Sequence, residues 1–532
     1  MSAPPKFGKV RALFWPIHAS EHRKFVPMFL IFFLICFNYS ILRATKDSLI
    51  VTAPSSGAEA LPFLKVWAIL PAALLFTFLF TRLSNWLSRE RVYYVLMTIF
   101  LGFFFIFSVF LFPNRDVLHP HALSDQLQSI LPQGFSGLIA IFRNWTFTAF
   151  YIMSEMWSTM IMTVLFWGFA NEITSVRDGK RYYVMFGLGA NLATICSGCL
   201  SNVISNHKYN PNFFFGNDGW EQALFMLDGI IIIAGILSMV LFRWIHSQGL
   251  GYPSVEQTKK DEGPKIQMGI RKNFKYLMKS KYLICIAVVV LMFNISLTLI
   301  EVVWKDQVKQ LYPNPNDFNA YMSQILTWTG IIATLGAFVS GSIMRKFSWT
   351  TNALIPPLIF LVTGVGFFSF LFFKDTALSS LALIMGATPL VIGVFFGSLQ
   401  NILARASKYT LFDATKELSF IPLNKESRMK GKAAIDGFGS RLGKSGASVI
   451  HQGLIMTCGS ITLSTPFVGG ILVLVIGGWV AATRILGKEF HKLTAVPETQ
   501  EPPASDKVES QQIIETVEIN EEAKEAQPAL SK

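Results

Sequence analysis

Residues 26–51 read VPMFLIFFLICFNYSILRATKDSLIV, an apolar run that carries a lysine, Lys46, near its end. A hydrocarbon core about 30 Å thick is crossed by about 20 helical residues, so this stretch predicts a membrane-spanning helix. A charged side chain within such a helix costs about 2.5–3.5 kcal/mol at mid-bilayer on insertion scales. Charges kept at that cost tend to line a polar pathway. Three more fit the description: Glu155, Glu301 and Lys444 each lie in, or at the edge of, an apolar run. Cations at matching places in two halves of one chain point to a carrier for an anion.

The composition agrees. Of 532 residues, 52% are apolar, 15% are charged and 48 are Phe, and the mean hydropathy is +0.45. Soluble domains carry about 25% charged residues, so the chain reads as an all-α polytopic membrane protein. The net charge of +13 does not signal nucleic acid, because the basic residues are scattered in short loops without a contiguous face or motif. Five cysteines fall in or beside apolar runs, and Cys196 and Cys199 read as small packing residues with no second ligand pair. The first 25 residues are basic and contain Pro, with no cleavage site after a short apolar core. No removable signal peptide is expected.

Twelve spans are expected, at 26–51, 62–82, 92–112, 136–173, 184–205, 221–244, 282–304, 319–344, 352–373, 381–404, 434–457 and 467–486. The fourth is too long for one upright helix. It is read as a single tilted helix, with a break near Glu155 as the alternative. Lys and Arg concentrate in the N-terminal tail and in the loops after even-numbered spans, which places both termini in the cytoplasm. Lys305 and Lys309 are the main exception to this alternation. The expected organisation is a tail (1–25), a six-helix half (26–245), a cytoplasmic linker (246–281), a second six-helix half (282–488) and a disordered acidic tail (489–532).

The halves echo each other. Phe37-Asn38-Tyr39-Ser40 matches Phe293-Asn294-Ile295-Ser296, and Gly187-Leu188-Gly189-Ala190-Asn191-Leu192 matches Gly437-Phe438-Gly439-Ser440-Arg441-Leu442. In that register Asn191 corresponds to Arg441 and Thr194 to Lys444. Two pseudo-symmetric repeats with a site at their interface are a major-facilitator-like organisation. Gly443-Lys444-Ser445 is not a Walker A loop: Gly439 leaves three residues before Gly443 and Gly437 leaves five, where four are required. The glycines are read as allowing close helix approach. Competing structural readings are snorkelling for Lys46 and Lys444, an ion pair with Arg143 for Glu155 and a local pair with Lys305 for Glu301. His451, Trp157 and Trp304 are read as packing residues.

Several longer stretches resemble one family. They are Leu42-Arg43-Ala44-Thr45-Lys46-Asp47, Phe166-Trp167-Gly168-Phe169-Ala170-Asn171-Glu172-Ile173-Thr174, Lys408-Tyr409-Thr410-Leu411-Phe412-Asp413 and Leu442-Gly443-Lys444-Ser445-Gly446. Together they resemble the nucleotide transporters of plastids and obligate intracellular bacteria, among them ATP/ADP translocases, from about Trp15 to Lys488. The resemblance implies a secondary transporter rather than an enzyme, with the transport-critical charges on Lys46, Glu155, Glu301 and Lys444. Arg441 would supplement the phosphate-binding cations and Asn191 would contact the nucleoside.

Ala44 stands where many exchangers have an acid, and Ser154-Glu155-Met156-Trp157-Ser158 replaces the commoner Ala-Glu-Leu-Trp-Gly. Exchange, proton-coupled import of nucleoside triphosphates and a sugar-phosphate carrier therefore remain alternatives at this stage. The expected partners are a nucleotide and the lipid bilayer, with no cofactor, metal or nucleic acid. The expected membrane is a bacterial inner membrane, the plastid inner envelope being the alternative. Base preference, magnesium requirement, direction of flux and oligomeric state are not legible.

Overall fold

A computed structural model describes residues 11, 15–250, 280–373, 377–384, 386–423, 428, 431–432, 435 and 439–494. The proposed linker (246–281) and acidic tail (489–532) fall mostly outside them. The long helices are α1 (His22–Val51), α2 (Ala60–Trp86), α3 (Arg89–Leu111), α4 (Trp145–Ile173), α5 (Val176–Ser205) and α6 (Gly219–Ser247). After the linker come α7 (Lys281–Leu311), α8 (Pro315–Lys346), α9 (Trp349–Phe372), α10 (Pro389–Ser419), α11 (Ser440–Cys458) and α12 (Ile461–Thr494). Among the described residues, eleven helices are long and apolar enough to cross a membrane. The one falling short is α11, whose sequence carries Arg441, Lys444, His451 and Gln452.

Local chemistry sets the helix starts. Ser88, Ser175, Asp218, Ser280, Ser348 and Thr388 each accept a hydrogen bond from a backbone N–H three residues on. Such caps satisfy donors that a helix start leaves open. Two expected spans are corrected here. Residues 136–173 do not form one helix, and the break is not near Glu155. Ser136–Arg143 is a separate short helix that ends at Asn144 (ψ 49°), and α4 then runs unbroken past Glu155. The Asn144 amide donates to the Ala140 carbonyl at 3.1 Å, holding the chain at the break. The tenth span starts at Pro389 rather than 381, because the Thr388 cap and the proline begin a new helix after the short Ala377–Ile384 segment.

The first six long helices meet the last six mainly towards one end of the bundle, the end at which Val51 lies. Helix α5 lies along α8: Ser201 and Ser323 share a 2.9 Å hydrogen bond, and the Asn319 amide donates to Ser205 at 2.8 Å. Ser48 of α1 donates to the same Asn319 at 3.1 Å. Across from this seam, Gln452 of α11 donates to the Pro62 carbonyl at 2.9 Å and accepts from the Trp67 indole at 3.1 Å. A Cβ on Gly198 would lie 2.3 Å from Thr327 Oγ1 and 2.8 Å from the Ser323 carbonyl oxygen, so only glycine fits this crossing. Gly198→Val is expected to pry α5 from α8 and lower the Tm of the detergent-solubilised protein by several degrees. Gly187→Val, on the same helix where a Cβ meets nothing within 4 Å, is the control and should leave the Tm unchanged.

Candidate functional site

Lys46 is buried near the end of α1, with its side chain 4% exposed. Its ammonium forms an ion pair with Glu155 of α4 and lies 4.1 Å from the centre of the Tyr151 ring. Tyr151 stands one helical turn before Glu155, so one face of α4 supplies both the carboxylate and the aromatic face that hold this cation. Snorkelling is excluded by the burial. Pairing of Glu155 with Arg143 is excluded as well, since Arg143 is bound to Asp125 and to Gln128, the latter at 3.2 Å.

Glu301 is the centre of a second network. Its carboxylate receives Arg405 of α10 at 3.0 Å, Lys305 at 3.1 Å and Lys65 of α2 at 3.8 Å. Lys305 also reaches Asp47 of α1 at 2.8 Å. Both partners of that last pair are 3% exposed. The network therefore ties α1 and α2 to α7 and α10 beside the end of the bundle where the two sets of helices meet. The local Lys305 pair anticipated for Glu301 is present, as one contact of several. Lys305 breaks the loop-charge alternation because it is not a loop residue: it is a buried partner of Asp47.

Three of the charges sit at irregularities in their helices. Lys65 lies within a π-helical stretch (Leu64–Ile69), Glu155 just precedes another (Trp157–Phe166), and Arg405 precedes a third (Lys408–Phe412). A π-turn shifts the register of a helix face, and such turns concentrate at functional sites.

Lys444 is exposed on α11, with no side-chain hydrogen bond or ion pair among the described residues. It remains within electrostatic reach of Glu155, as does Lys65. Gly443 beside it lets α11 approach α7, since a Cβ there would lie 2.7 Å from that of Asn294. Asn191 is half-buried on α5, where its carbonyl oxygen faces Gly330 of α8. Arg441 has a place on α11, but its side chain lies outside the described residues. Among the packing residues, Trp157 donates to the Ile35 carbonyl at 3.1 Å, Trp304 to Ser398 at 3.0 Å and His451 to the Leu299 carbonyl at 3.1 Å. Asn38 donates to the Ile231 carbonyl at 2.9 Å, a link between α1 and α6.

The structure thus brings Lys46, Glu155, Glu301 and Lys444 into one electrostatic neighbourhood and adds Arg43, Asp47, Lys65, Lys305 and Arg405. The cost argument that selected Lys46 applied equally to Asp47 in the same run and to Lys65 in the next. Arg405 was missed because the tenth span was ended one residue before it. A cluster with more cations than carboxylates suits a polyanion.

Comparison with known proteins gives a consistent picture. A family profile described as "TLC ATP/ADP transporter" matches residues 2–490. "ADP,ATP carrier protein 1" of Chlamydia pneumoniae is 44% identical over 499 residues, covering 93% of this chain and 96% of that protein. "ADP,ATP carrier protein 2, chloroplastic" of Arabidopsis thaliana is 40% identical over 484 residues, covering 91% and 77%. Among solved structures, a bacterial homologue of the iron transporter ferroportin in an inward-facing state matches with a TM-score of 0.50 at 12% identity. That match covers 89% of this chain and 98% of the other, and it speaks to the fold alone.

Proposed function

The chain belongs to the TLC ATP/ADP transporter family, and from there we propose that it carries nucleotides across a membrane, exchanging ATP for ADP by alternating access. The observation that carries this reading is the charge cluster drawn from both sets of six helices: Lys46 and Lys65 on one side, Lys305, Arg405 and Lys444 on the other. A ligand with several phosphates engages both sides at once and draws them together, as a rocking carrier requires. Lys46 and Lys444, supplemented by Arg441, hold phosphates, while Asn191 and neighbouring aromatic residues contact the nucleoside. Glu155 and Glu301 keep the empty site from excess positive charge, so that phosphate binding stays reversible.

In this reading α11 also crosses the membrane, giving twelve spans in two pseudo-symmetric, major-facilitator-like halves on either side of the 246–281 linker. Both termini lie in the cytoplasm, and the membrane is a bacterial inner membrane. The Val51 end then faces outward, so the seam through Asn319 and Gln452 closes the outer side and the carrier faces the cytoplasm.

Obligate exchange follows if the empty carrier reorients poorly. Without ligand, bringing Lys46, Lys65 and Lys444 together in a medium of low dielectric is opposed by their mutual repulsion. Vesicles loaded with labelled ATP are expected to release it much faster with ADP outside than without. Equal rates would rule out obligate exchange, and collapse of uptake by a protonophore without any need for counter-substrate would favour proton coupling.

A further inference from the structure

Asp47 and Lys305 are paired at 2.8 Å and almost fully buried, with Lys305 shared with Glu301 at 3.1 Å. Once that pair is set aside, three cations surround the single carboxylate of Glu301. Arg405 and Lys65 approach its two oxygens at 3.0 Å and 3.8 Å, and these three side chains are 15–21% exposed, within reach of water. The third cation, Arg43, is half-buried on α1 and makes no hydrogen bond or ion pair among the described residues. It lines one small cavity together with Glu301, Arg405, Asn401 and Thr329, and its charge acts on Glu301.

We propose that Arg43, Lys65 and Arg405 form a polyphosphate subsite in which Glu301 stands in for a phosphate group while the carrier is empty. This rests on the nucleotide reading above and deepens it. One carboxylate cannot neutralise three cations, and the surplus charge of this partly buried cluster attracts a more highly charged anion. Guanidinium groups present a planar fork that matches phosphate oxygens two at a time, and the two arginines come from α1 and α10, one from each set of six helices. A phosphate arriving between them displaces Glu301, which keeps Lys305 as its partner. Glu301 then competes with Asp47 for that lysine, so occupancy of the subsite loosens the neighbouring tie at the closed end.

The test is competition by unlabelled AMP, ADP and ATP against labelled ATP uptake into membrane vesicles. In the natural protein, apparent affinity should climb with each phosphate. In Arg43→Gln and in Lys65→Gln, the gain from AMP to ATP should shrink at least tenfold while competition by AMP changes little. Arg43→Lys should recover part of the gain, since it restores the charge but not the fork. A residue needed only for folding would weaken all three nucleotides alike, and that result overturns the subsite. So does an unchanged chain-length preference in the inserted variants. If Arg43→Gln fails to insert, Lys65→Gln decides alone, because its one ion pair among the described residues is the loose 3.8 Å contact. Failure of every nucleotide to compete in the natural protein would instead overturn the nucleotide reading.

Discussion

Lys46→Gln is expected to abolish nucleotide uptake while the protein still inserts into the membrane, and Lys444→Gln to do the same. Removing one partner of a buried, hydrogen-bonded charge pair costs about 2–5 kcal/mol, which is about 30-fold or more in affinity. For Lys46 there are two contributions, because the change also strands Glu155. A double variant separates them. Lys46→Gln with Glu155→Gln relieves the stranded carboxylate and should regain the thermal stability of the natural protein, yet still fail to transport, because the phosphate contact that Lys46 supplies is gone. For Lys444, which is exposed and makes no ion pair among the described residues, stability should not change at all. Natural uptake rates in both single variants would remove these residues from the mechanism.

Asp47→Asn should weaken the closed end of the carrier. The Asp47–Lys305 pair joins α1 to α7 with both side chains 3% exposed, and breaking a buried pair from one side costs about 3–5 kcal/mol. Glu301 still holds Lys305 at 3.1 Å, so the lower part of that range applies. The closed state should lose population to an outward-open one. The readout is a cysteine at Ser201, a residue 1% exposed in the α5–α8 seam, tested in a background with Cys196, Cys199 and the partly exposed Cys458 replaced by Ser. Labelling from outside by a membrane-impermeant thiol reagent should rise in Asp47→Asn. Combining Asp47→Asn with Lys305→Met should recover the lost thermal stability, since no uncompensated charge remains, while labelling stays high. Labelling no greater than in the parent would show that the pair does not hold the outer side shut.

The candidate site was only partly legible along the chain. An ion in an apolar run is conspicuous because its cost is local, and that argument found Lys46, Glu155, Glu301 and Lys444. It could not assign partners. Glu155 is 109 residues from Lys46 in sequence, whereas the nearby Arg143, which looked available, turned to Asp125. Lys305 looked like a misplaced loop charge because its partner Asp47 lies on a helix from the other half of the chain. Arg405 was lost to a boundary error: the span was ended at 404, where the apolar run stops, whereas regular helix continues through Arg405 to Ser407.

Hydropathy set the class and most of the helices from sequence alone, because burying backbone in lipid demands internal hydrogen bonding and long apolar runs wherever the chain crosses. Charge cost marked several candidate site residues for the same reason: each penalty belongs to one residue and its own helix. Which end of the bundle is closed, which carboxylate holds which cation and which glycines permit contact were decided only by the tertiary structure. Those properties depend on distances of a few ångströms between helices far apart in the chain, and helix periodicity carries no record of them.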